Sequence, residues 1–219
     1  MLRPGRAVLA AATILFAAVA AAQPKPARSG GASPERAAPA VPAADYAQRY
    51  AALCAACHGA NGRSELAGMP VLAGQPAFYA ITQLYLFREG RRANEAMTAV
   101  AKTLKDEDLR GFSTYIGTLP PVPAPAPATP ADPVRMKKGE ALALQHKCVF
   151  CHGADLAGGQ QVPRIEGQPE DYLQMNLRGY KSGARVGYTH AMNEALSQVS
   201  VDELDTLAYY VARFQAPRK

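Results

Sequence analysis

Two short cysteine motifs are the part of this sequence where residue type and spacing most clearly predict a chemistry. All four cysteines belong to them, as Cys54-Ala55-Ala56-Cys57-His58 and, 94 positions later, Cys148-Val149-Phe150-Cys151-His152. Cysteines three positions apart lie on one face of a helical turn, so both thiols of a motif can bond to the two vinyl groups of one porphyrin. The histidine that follows is then carried beneath the iron as its proximal ligand. The motifs therefore predict two covalently bound haem c groups.

Other chemistries of paired cysteines compete with this interpretation. Two Cys-x-x-Cys pairs can hold zinc, one pair can act as a redox dithiol, and four cysteines can form two disulfides. None of these needs a histidine directly after the second cysteine, yet both motifs have one, as His58 and His152. Haem attachment is therefore the preferred interpretation.

The N-terminal segment has the features of a secretory signal peptide. Arg3 and Arg6 precede an apolar run from Ala7 to Ala22, and the last three alanines of that run form a small-residue cleavage site before Gln23. We expect residues 1–22 to be removed and the mature protein to be soluble and periplasmic, where c-type haem is attached. The alternative is an uncleaved membrane anchor, although the run is shorter than the roughly 20 residues of a bilayer-spanning helix.

The positive charge of the chain does not indicate nucleic-acid binding. The chain has 24 basic and 18 acidic residues, and two of the basic ones leave with the signal peptide. Two haems would add four propionates, which roughly cancel the remaining excess. No run of lysines with interleaved aromatic residues is present, so we expect no nucleic-acid partner.

Composition divides the rest of the chain into two blocks and two connecting segments. Residues 23–44 are rich in alanine and proline, which predicts a flexible leader, and residues 121–132 form a proline-rich linker that favours extended polyproline II. We place one monohaem domain at residues 45–120 and another at 133–219. Domains this small bury little apolar surface, so haem should complete each core and the haem-free polypeptide should be largely unfolded.

The two blocks are an internal repeat that extends well beyond the cysteines. At a spacing of 93, the paired positions are Pro70 and Pro163, Gly74-Gln75-Pro76 and Gly167-Gln168-Pro169, Tyr79 and Tyr172, Leu84 and Leu177, and Arg92 and Arg185. The second copy then gains two residues, so that Met97 pairs with Met192 and Leu109 with Leu204 at a spacing of 95. Both blocks should therefore share one fold.

Helical periodicity is the strongest secondary-structure pattern in both blocks. Tyr46, Tyr50 and Leu53 lead into the first motif at helical spacing, as residues 136–144 approximately do into the second. The acidic clusters 106–108 and 202–203 begin a final helix in each block, where carboxylates complement the positive helix end. The remainder, rich in glycine and proline, is predicted to be loop, and the fold class to be all-α.

The sixth iron position decides whether a haem carries electrons or binds a substrate. Met97 and Met192 lie at matching places, in polar, loop-like sequence before the last helix of each block, and a thioether there would raise the reduction potential. We therefore predict His58 with Met97 and His152 with Met192 as the axial pairs. Met69 is an alternative at the first iron and His190 at the second, since packing is the commoner role of methionine.

The full set of motifs resembles the dihaem cytochromes of the cytochrome c-four group. The first copy reads CHGANG, PVLAGQPAFY, QLYLFREGRR, a methionine and a DEDL helix, and the second reads CHGADL, PRIEGQPEDY, NLRGYKSGAR, a methionine and VDELDTLAYY. The resemblance covers nearly everything from Asp45 to the end. It implies two tandem class I cytochrome c domains related by a pseudo-twofold, with their haems facing across the interface.

The resemblance also implies roles for residues around each haem. Pro70 and Pro163 would offer carbonyls to the non-ligating nitrogens of the two proximal histidines. Glutamines 75 and 168 and tyrosines 79 and 172 would lie near the haem rim or propionates, or serve only packing. The two-residue insertion before Met192 departs from strict symmetry, which makes unequal potentials an expectation.

Closed coordination at both irons predicts an electron carrier rather than an enzyme. By resemblance, its donor would be a quinol-oxidising cytochrome complex and its acceptor a terminal oxidase. A second interpretation is a dihaem electron-accepting subunit of a periplasmic dehydrogenase or membrane complex. A third, a peroxidase or thiosulfate-oxidising enzyme, would need an open or weakly ligated iron.

Overall fold

The computed structural model describes residues 43–127, 129–185, 187 and 189–216, with side chains from Asp45 onward. The predicted signal peptide and residues 23–42 of the predicted leader lie outside the described residues. In the described part, the structure has no strand beyond a single bridge between Gly159 and Val162. Its helices are α1 Ala43–Leu53, α2 Ala55–His58, α3 Ala77–Arg88, α4 Glu95–Ala101, α5 Asp106–Thr118, α6 Pro133–Gln145, α7 Cys148–His152, α8 Glu170–Ser182, α9 Ala191–Leu196 and α10 Val201–Arg213. The all-α fold class is confirmed.

Each half is built from a first and a last helix that pack together. In the N-terminal half α1 packs on α5, and α5 also packs on α3, which in turn contacts α4. The Tyr46 and Phe112 rings meet edge to face at 5.1 Å, a favoured geometry for an aromatic pair. The C-terminal half repeats this arrangement with α6 on α10, α10 on α8 and α8 on α9. Leu142, Leu204 and Leu207 lie in its core.

The repeat seen in the sequence is a repeat of helices in the structure. The last helices α5 and α10 are both 13 residues long and begin 95 positions apart. The middle helices α3 and α8 begin 93 positions apart, each directly after the proline of a Gly-Gln-Pro segment. The two-residue insertion therefore falls between α8 and α9.

The middle helices differ from the sequence prediction, which placed loop between the haem motif and the last helix. Helix α3 was missed because apolar residues surround it instead of forming one stripe, and its first turn has no side-chain cap. Helix α8 likewise starts after a proline with no side-chain cap, and it contains Gly179. Met97 and Met192 also lie in short helices, α4 and α9, where loop was expected.

The segment between α5 and α6 passes close to two glycines that are equivalent in the repeat. Gly74 and Gly167 both have positive φ, at 73° and 65°. A Cβ on Gly74 would lie 2.8 Å from the ring of Pro121, and one on Gly167 would lie 2.9 Å from the backbone of Pro123. Glycine is therefore required at both positions for its conformation and for the close approach of the chain.

Among the described residues, no helix is both long enough and apolar enough to cross a membrane.

Candidate haem sites and the contact between them

Each cysteine motif forms one helical turn. The Cys54 carbonyl accepts from the Cys57 N–H at 3.2 Å and from the His58 N–H at 2.9 Å, which closes the turn. The first cysteine of each motif is half-buried and the second is exposed, and none of the four forms a disulfide. The paired thiols lie on one side of a turn, as attachment to a single porphyrin requires.

The two motif histidines are buried and held by proline carbonyls. His58 Nδ1 lies 3.3 Å from the Pro70 oxygen, and His152 Nδ1 lies 3.0 Å from the Pro163 oxygen. This confirms the contacts implied by the resemblance. A carbonyl oxygen can only accept, so Nδ1 carries the proton and Nε2 keeps its lone pair in the neutral ring. Burial lowers the pKa of both histidines, partly offset by the bond to the carbonyl, which favours the neutral, metal-binding form.

The approach to the second motif contains a feature that the first lacks. Lys147 adopts a left-handed conformation, with φ 57°, between the end of α6 and α7. His146 caps the end of α6, with its side chain only 11% exposed and its Nε2 3.8 Å from Glu203 Oε1.

The two predicted methionine ligands are placed alike. Met97 is half-buried in the first turn of α4, where its N–H donates to Asn94 Oδ1 at 2.8 Å. Met192 is half-buried in the first turn of α9 and packs against the C-terminal core. Of the alternatives, Met69 is half-buried in a loop and His190 is exposed at the start of α9. Ligation by Met97 and Met192 stays a prediction.

Two arginines that the sequence analysis noted only as a repeat pair lie where the halves meet. Arg92 donates to Tyr172 Oη at 3.0 Å in the other half, and Arg185 donates to Tyr79 Oη at 3.4 Å. Both also donate to Gln83 Oε1. The tyrosine contacts of the two arginines are thus equivalent across the boundary, whereas Gln83 lies in the same half as Arg92 and in the half opposite to Arg185.

These arginines have no acidic partner among the residues that the structure describes. Arg92 is buried and Arg185 is half-buried. The Nε atom of Arg185 is enclosed and has no hydrogen-bond partner among the described residues. Neither arginine forms an ion pair with a described carboxylate. Burial raises the pKa of Tyr79 to about 12, whereas at Tyr172 the charges of Arg92 and Arg185 outweigh burial and lower the pKa. Buried cations require anionic partners. The acidic groups of a haem fit this need, and Arg92 and Arg185 are the residues that would hold them.

Two glutamines bond across the same boundary through both atoms of their amides. Gln75 Nε2 donates to the Arg164 carbonyl at 2.7 Å, and Gln75 Oε1 accepts from the Arg164 N–H at 3.1 Å. Gln168 does the same to Val71, at 2.8 Å and 3.0 Å. Both glutamines are therefore occupied by the opposite half's backbone.

The residues fit haem better than the alternatives weighed from the sequence. No three His, Cys, Asp or Glu side chains converge as a metal-ion donor set in the described part of the chain. The zinc interpretation needs such a set. The cysteines also form no disulfide there. By contrast, each half has a cysteine pair on one turn, a buried histidine with a free Nε2, and a buried or half-buried arginine that has no ion pair with a described carboxylate.

Comparisons with known proteins give the same cofactor and a family. Residues 41–116 match the family model "Cytochrome C oxidase, cbb3-type, subunit III", and residues 136–214 match the model "Cytochrome c". Cytochrome c4 of Thiocapsa roseopersicina is 33% identical over 170 residues, covering 73% of this chain and 85% of that protein. The thiosulfate dehydrogenase electron acceptor of Thiomonas intermedia is 36% identical over 146 residues, covering 63% of this chain and 66% of that protein.

A solved structure agrees with the sequence relatives. Reduced recombinant cytochrome c4 from Pseudomonas stutzeri matches with a TM-score of 0.69 and 26% identity, covering 80% of this chain and 99% of that one. Two cytochrome c domains follow each other in the chain, each with a Cys-x-x-Cys-His turn for one covalently bound haem c. The chain belongs to the cytochrome c4 family and is a dihaem electron-transfer protein.

Proposed function

We propose that this protein carries single electrons between redox proteins in the periplasm, with each iron held between a histidine and a methionine. His58 with Met97 would hold the iron of the N-terminal haem, and His152 with Met192 would hold that of the C-terminal haem. A haem whose two axial positions are filled supplies one-electron uptake and release without binding a substrate. The observation that carries the proposal is the pair of buried histidines whose Nδ1 atoms are bonded to proline carbonyls, since this leaves Nε2 as the only free ring nitrogen.

The chain's own residues orient the ligands and balance charge. Pro70 and Pro163 fix the imidazole rings and their tautomer, which raises the basicity of the ligating nitrogen. The Asn94 cap fixes the backbone of Met97. Arg92 and Arg185 bring two positive charges to the boundary between the halves. These fixed groups keep the site the same in both redox states, so little rearrangement accompanies electron transfer.

The ligand assignment is tested with the near-infrared absorbance band that reports methionine ligation to oxidised haem c. Met97→Ala and Met192→Ala should each remove about half of the band in the purified holoprotein, since each variant leaves one iron with its methionine. Met175→Ala, at an exposed methionine of α8, should leave it unchanged. A full band in either variant would show that a different methionine ligates that iron.

For partners, we propose a quinol-oxidising cytochrome complex as donor and a terminal oxidase as acceptor. The cytochrome c4 relatives support an exchange of electrons with other redox proteins. Stopped-flow mixing of the reduced holoprotein with membranes from the native host should show cyanide-sensitive oxidation. Membranes that lack terminal oxidases are the control, and equal oxidation by both would contradict the assignment.

One observation favours a second candidate function, the acceptance of electrons from a thiosulfate-oxidising enzyme. The Thiomonas relative, which matches 63% of this chain, is a thiosulfate dehydrogenase electron acceptor. Reduction of the oxidised holoprotein by thiosulfate plus a thiosulfate dehydrogenase, but not by thiosulfate alone, would support it. Reduction by thiosulfate alone would instead indicate an enzyme.

We also propose the processing and domain limits expected from the sequence. These are removal of residues 1–22, a leader at 23–44, domains at 45–120 and 133–219, and a linker at 121–132. Helices α1 to α5 and α6 to α10 support the two domains, since they form separate cores. Intact mass of the mature protein would test the cleavage site, and limited proteolysis should cut in the leader and between Pro120 and Pro133 before it cuts within either domain.

A further inference from the structure

Each of the two glutamine contacts between the halves involves a peptide group whose carbonyl also accepts a hydrogen bond from a proximal histidine. The Val71 N–H that bonds to Gln168 belongs to the same peptide group as the Pro70 carbonyl that accepts from His58. In the other half, the Arg164 N–H that bonds to Gln75 shares a peptide group with the Pro163 carbonyl that accepts from His152. Each proximal histidine is thus connected, through one peptide group, to an amide that belongs to the opposite half.

This connection is buried and geometrically fixed. Val71 is 1% exposed, and Gln75 and Gln168 are 6% and 3% exposed. A backbone N–H can only donate and a backbone carbonyl can only accept, so the orientation of each side-chain amide is determined by its partners. The arrangement follows the repeat, since the two glutamines and the two bonded residues are each 93 positions apart.

Hydrogen bonds in such a chain polarise one another. A peptide whose N–H donates to a strong acceptor carries more negative charge on its carbonyl oxygen, and at low local dielectric this effect is larger. A more negative Pro70 oxygen is a better acceptor for the His58 Nδ1–H, and that bond raises the basicity of the ring as a ligand. A more basic imidazole favours oxidised iron and so lowers the reduction potential.

We propose that Gln75 and Gln168 are positioning residues that act crosswise, each lowering the reduction potential of the haem in the opposite half. This inference rests on the proposed ligation of iron by His58 and His152. Gln168 acts on the N-terminal haem through Val71, Pro70 and His58. Gln75 acts on the C-terminal haem through Arg164, Pro163 and His152. Contact between the halves thereby helps to set the reduction potentials of both haems.

The test replaces each glutamine by methionine, which keeps the length of the side chain and removes its amide. Gln168→Met should raise the potential of the N-terminal haem more than that of the C-terminal haem, and Gln75→Met should give the mirror result. Gln174→Met is the matched control, because the Gln174 amide bonds to Glu170 within its own half and touches neither proline peptide. Potentials are read for each haem separately, by redox titration followed through haem-methyl proton resonances.

Two readouts separate this role from a simple loss of packing. Hydrogen exchange at the Val71 amide should become faster in Gln168→Met and that at the Arg164 amide in Gln75→Met, while the far amide keeps its protection. The Nδ1 proton of the affected histidine should move upfield as its bond weakens. Equal changes at both haems in each variant, a change confined to the variant's own half, or no change at either haem would overturn the proposal.

The proposed ligation can fail independently of this inference. If the unmodified holoprotein lacks the low-spin spectrum of histidine and methionine ligation, the proposed function fails before any variant is made. If that spectrum is present and the crosswise pattern is absent, only the present inference fails. Should a methionine variant not accumulate as holoprotein, Gln168→Asn and Gln75→Asn, one methylene shorter, give the same comparison.

Discussion

Asp108 is the residue at which the first turn of α5 is tied to α1. Its carboxylate lies 2.6 Å from Arg49 Nη1 and accepts from the Lys105 N–H at 2.9 Å. The Tyr46 hydroxyl lies 3.4 Å from the same carboxylate. Burial acts to raise the pKa of Asp108, but the Arg49 guanidinium and the Lys105 N–H outweigh it and hold the pKa below its usual range. The ionised form therefore belongs to the folded state.

Replacing Asp108 by asparagine should destabilise the N-terminal half by about 1.5–3 kcal/mol at pH 7, the range for hydrogen bonds to a charged group. Because the folded-state pKa is depressed, the contribution is present above the unfolded pKa and disappears as pH falls through the folded one. Guanidinium unfolding of the holoprotein between pH 3 and 6 should therefore show a smaller loss of stability on acidification in Asp108→Asn than in the parent. Glu107→Gln, at an exposed side chain of the same turn, is the control. Parallel pH profiles for parent and Asp108→Asn would contradict this role.

At the scale of helices, the first and last helices of each half cross where a glycine on one helix faces a tyrosine on the other. The glycine and the tyrosine are on opposite helices in the two halves. In the N-terminal half the ring of Tyr46 on α1 fills the space beside Gly111 on α5, and a methyl group there would overlap the ring. In the C-terminal half the glycine is on the first helix, as Gly139 on α6, and the tyrosine is Tyr210 on α10. Neither crossing therefore leaves room for a side chain at the glycine.

Gly111→Ala and Gly139→Ala should each lower the free energy of unfolding of the half that contains it by about 1–3 kcal/mol, because the added methyl group forces side chains or helices apart. Helix propensity alone would predict the opposite sign, since alanine is the better helix former. Gly159→Ala is the matched control, because a Cβ there meets nothing within 4 Å. Thermal unfolding followed by circular dichroism measures all three, and stabilisation by the helical substitutions would show that the crossings can open at no cost.

These helices also show what the sequence could predict and what it could not. The starts of α5 and α10 follow from their acidic first turns and one-sided apolar periodicity, which are local properties. Helix α3 has no such stripe, because apolar residues on several of its sides are partly or fully buried.

The cysteine motifs and their haems were predictable because attachment chemistry fixes the spacing. Arg92 and Arg185 were not recognised as functional because their partners lie about 80 to 106 positions away in the other half.

At the scale of the whole molecule, haem should be required separately by each half. Each core is small, and its largest buried side chains are accompanied by several that are only partly covered. Replacing Cys54 and Cys57 by alanine together should leave one haem per chain, confirmed by mass spectrometry. We expect the amides of α1 and α5 to lose most of their protection from hydrogen exchange, while those of α6 and α10 keep theirs. Unchanged protection of α1 and α5 would show that the polypeptide alone can fold.

Arg92 connects the two halves, and we expect its positive charge to act on both haems, so that its loss changes both reduction potentials. Its guanidinium lies over the Phe87 ring at 4.5 Å and donates to Tyr172 of the other half at 3.0 Å. Removing a buried positive charge favours oxidised iron, so Arg92→Gln should lower the reduction potentials by roughly 40–90 mV, equivalent to about 1–2 kcal/mol per electron. Arg91→Gln is the control, because Arg91 is the exposed neighbour and its charge is screened by salt.

The sign of the change in reduction potential distinguishes the effect of the Arg92 charge from that of the glutamine hydrogen bonds at the same boundary. Loss of a glutamine amide should raise the potential of one haem, whereas loss of the arginine charge should lower both. A redox titration of Arg92→Gln at two salt concentrations separates the contributions further, since a buried charge is little screened and its effect should persist at high salt. Potentials that rise, or that return to the parent values in high salt, would show that Arg92 does not supply a buried counter-charge to the haems.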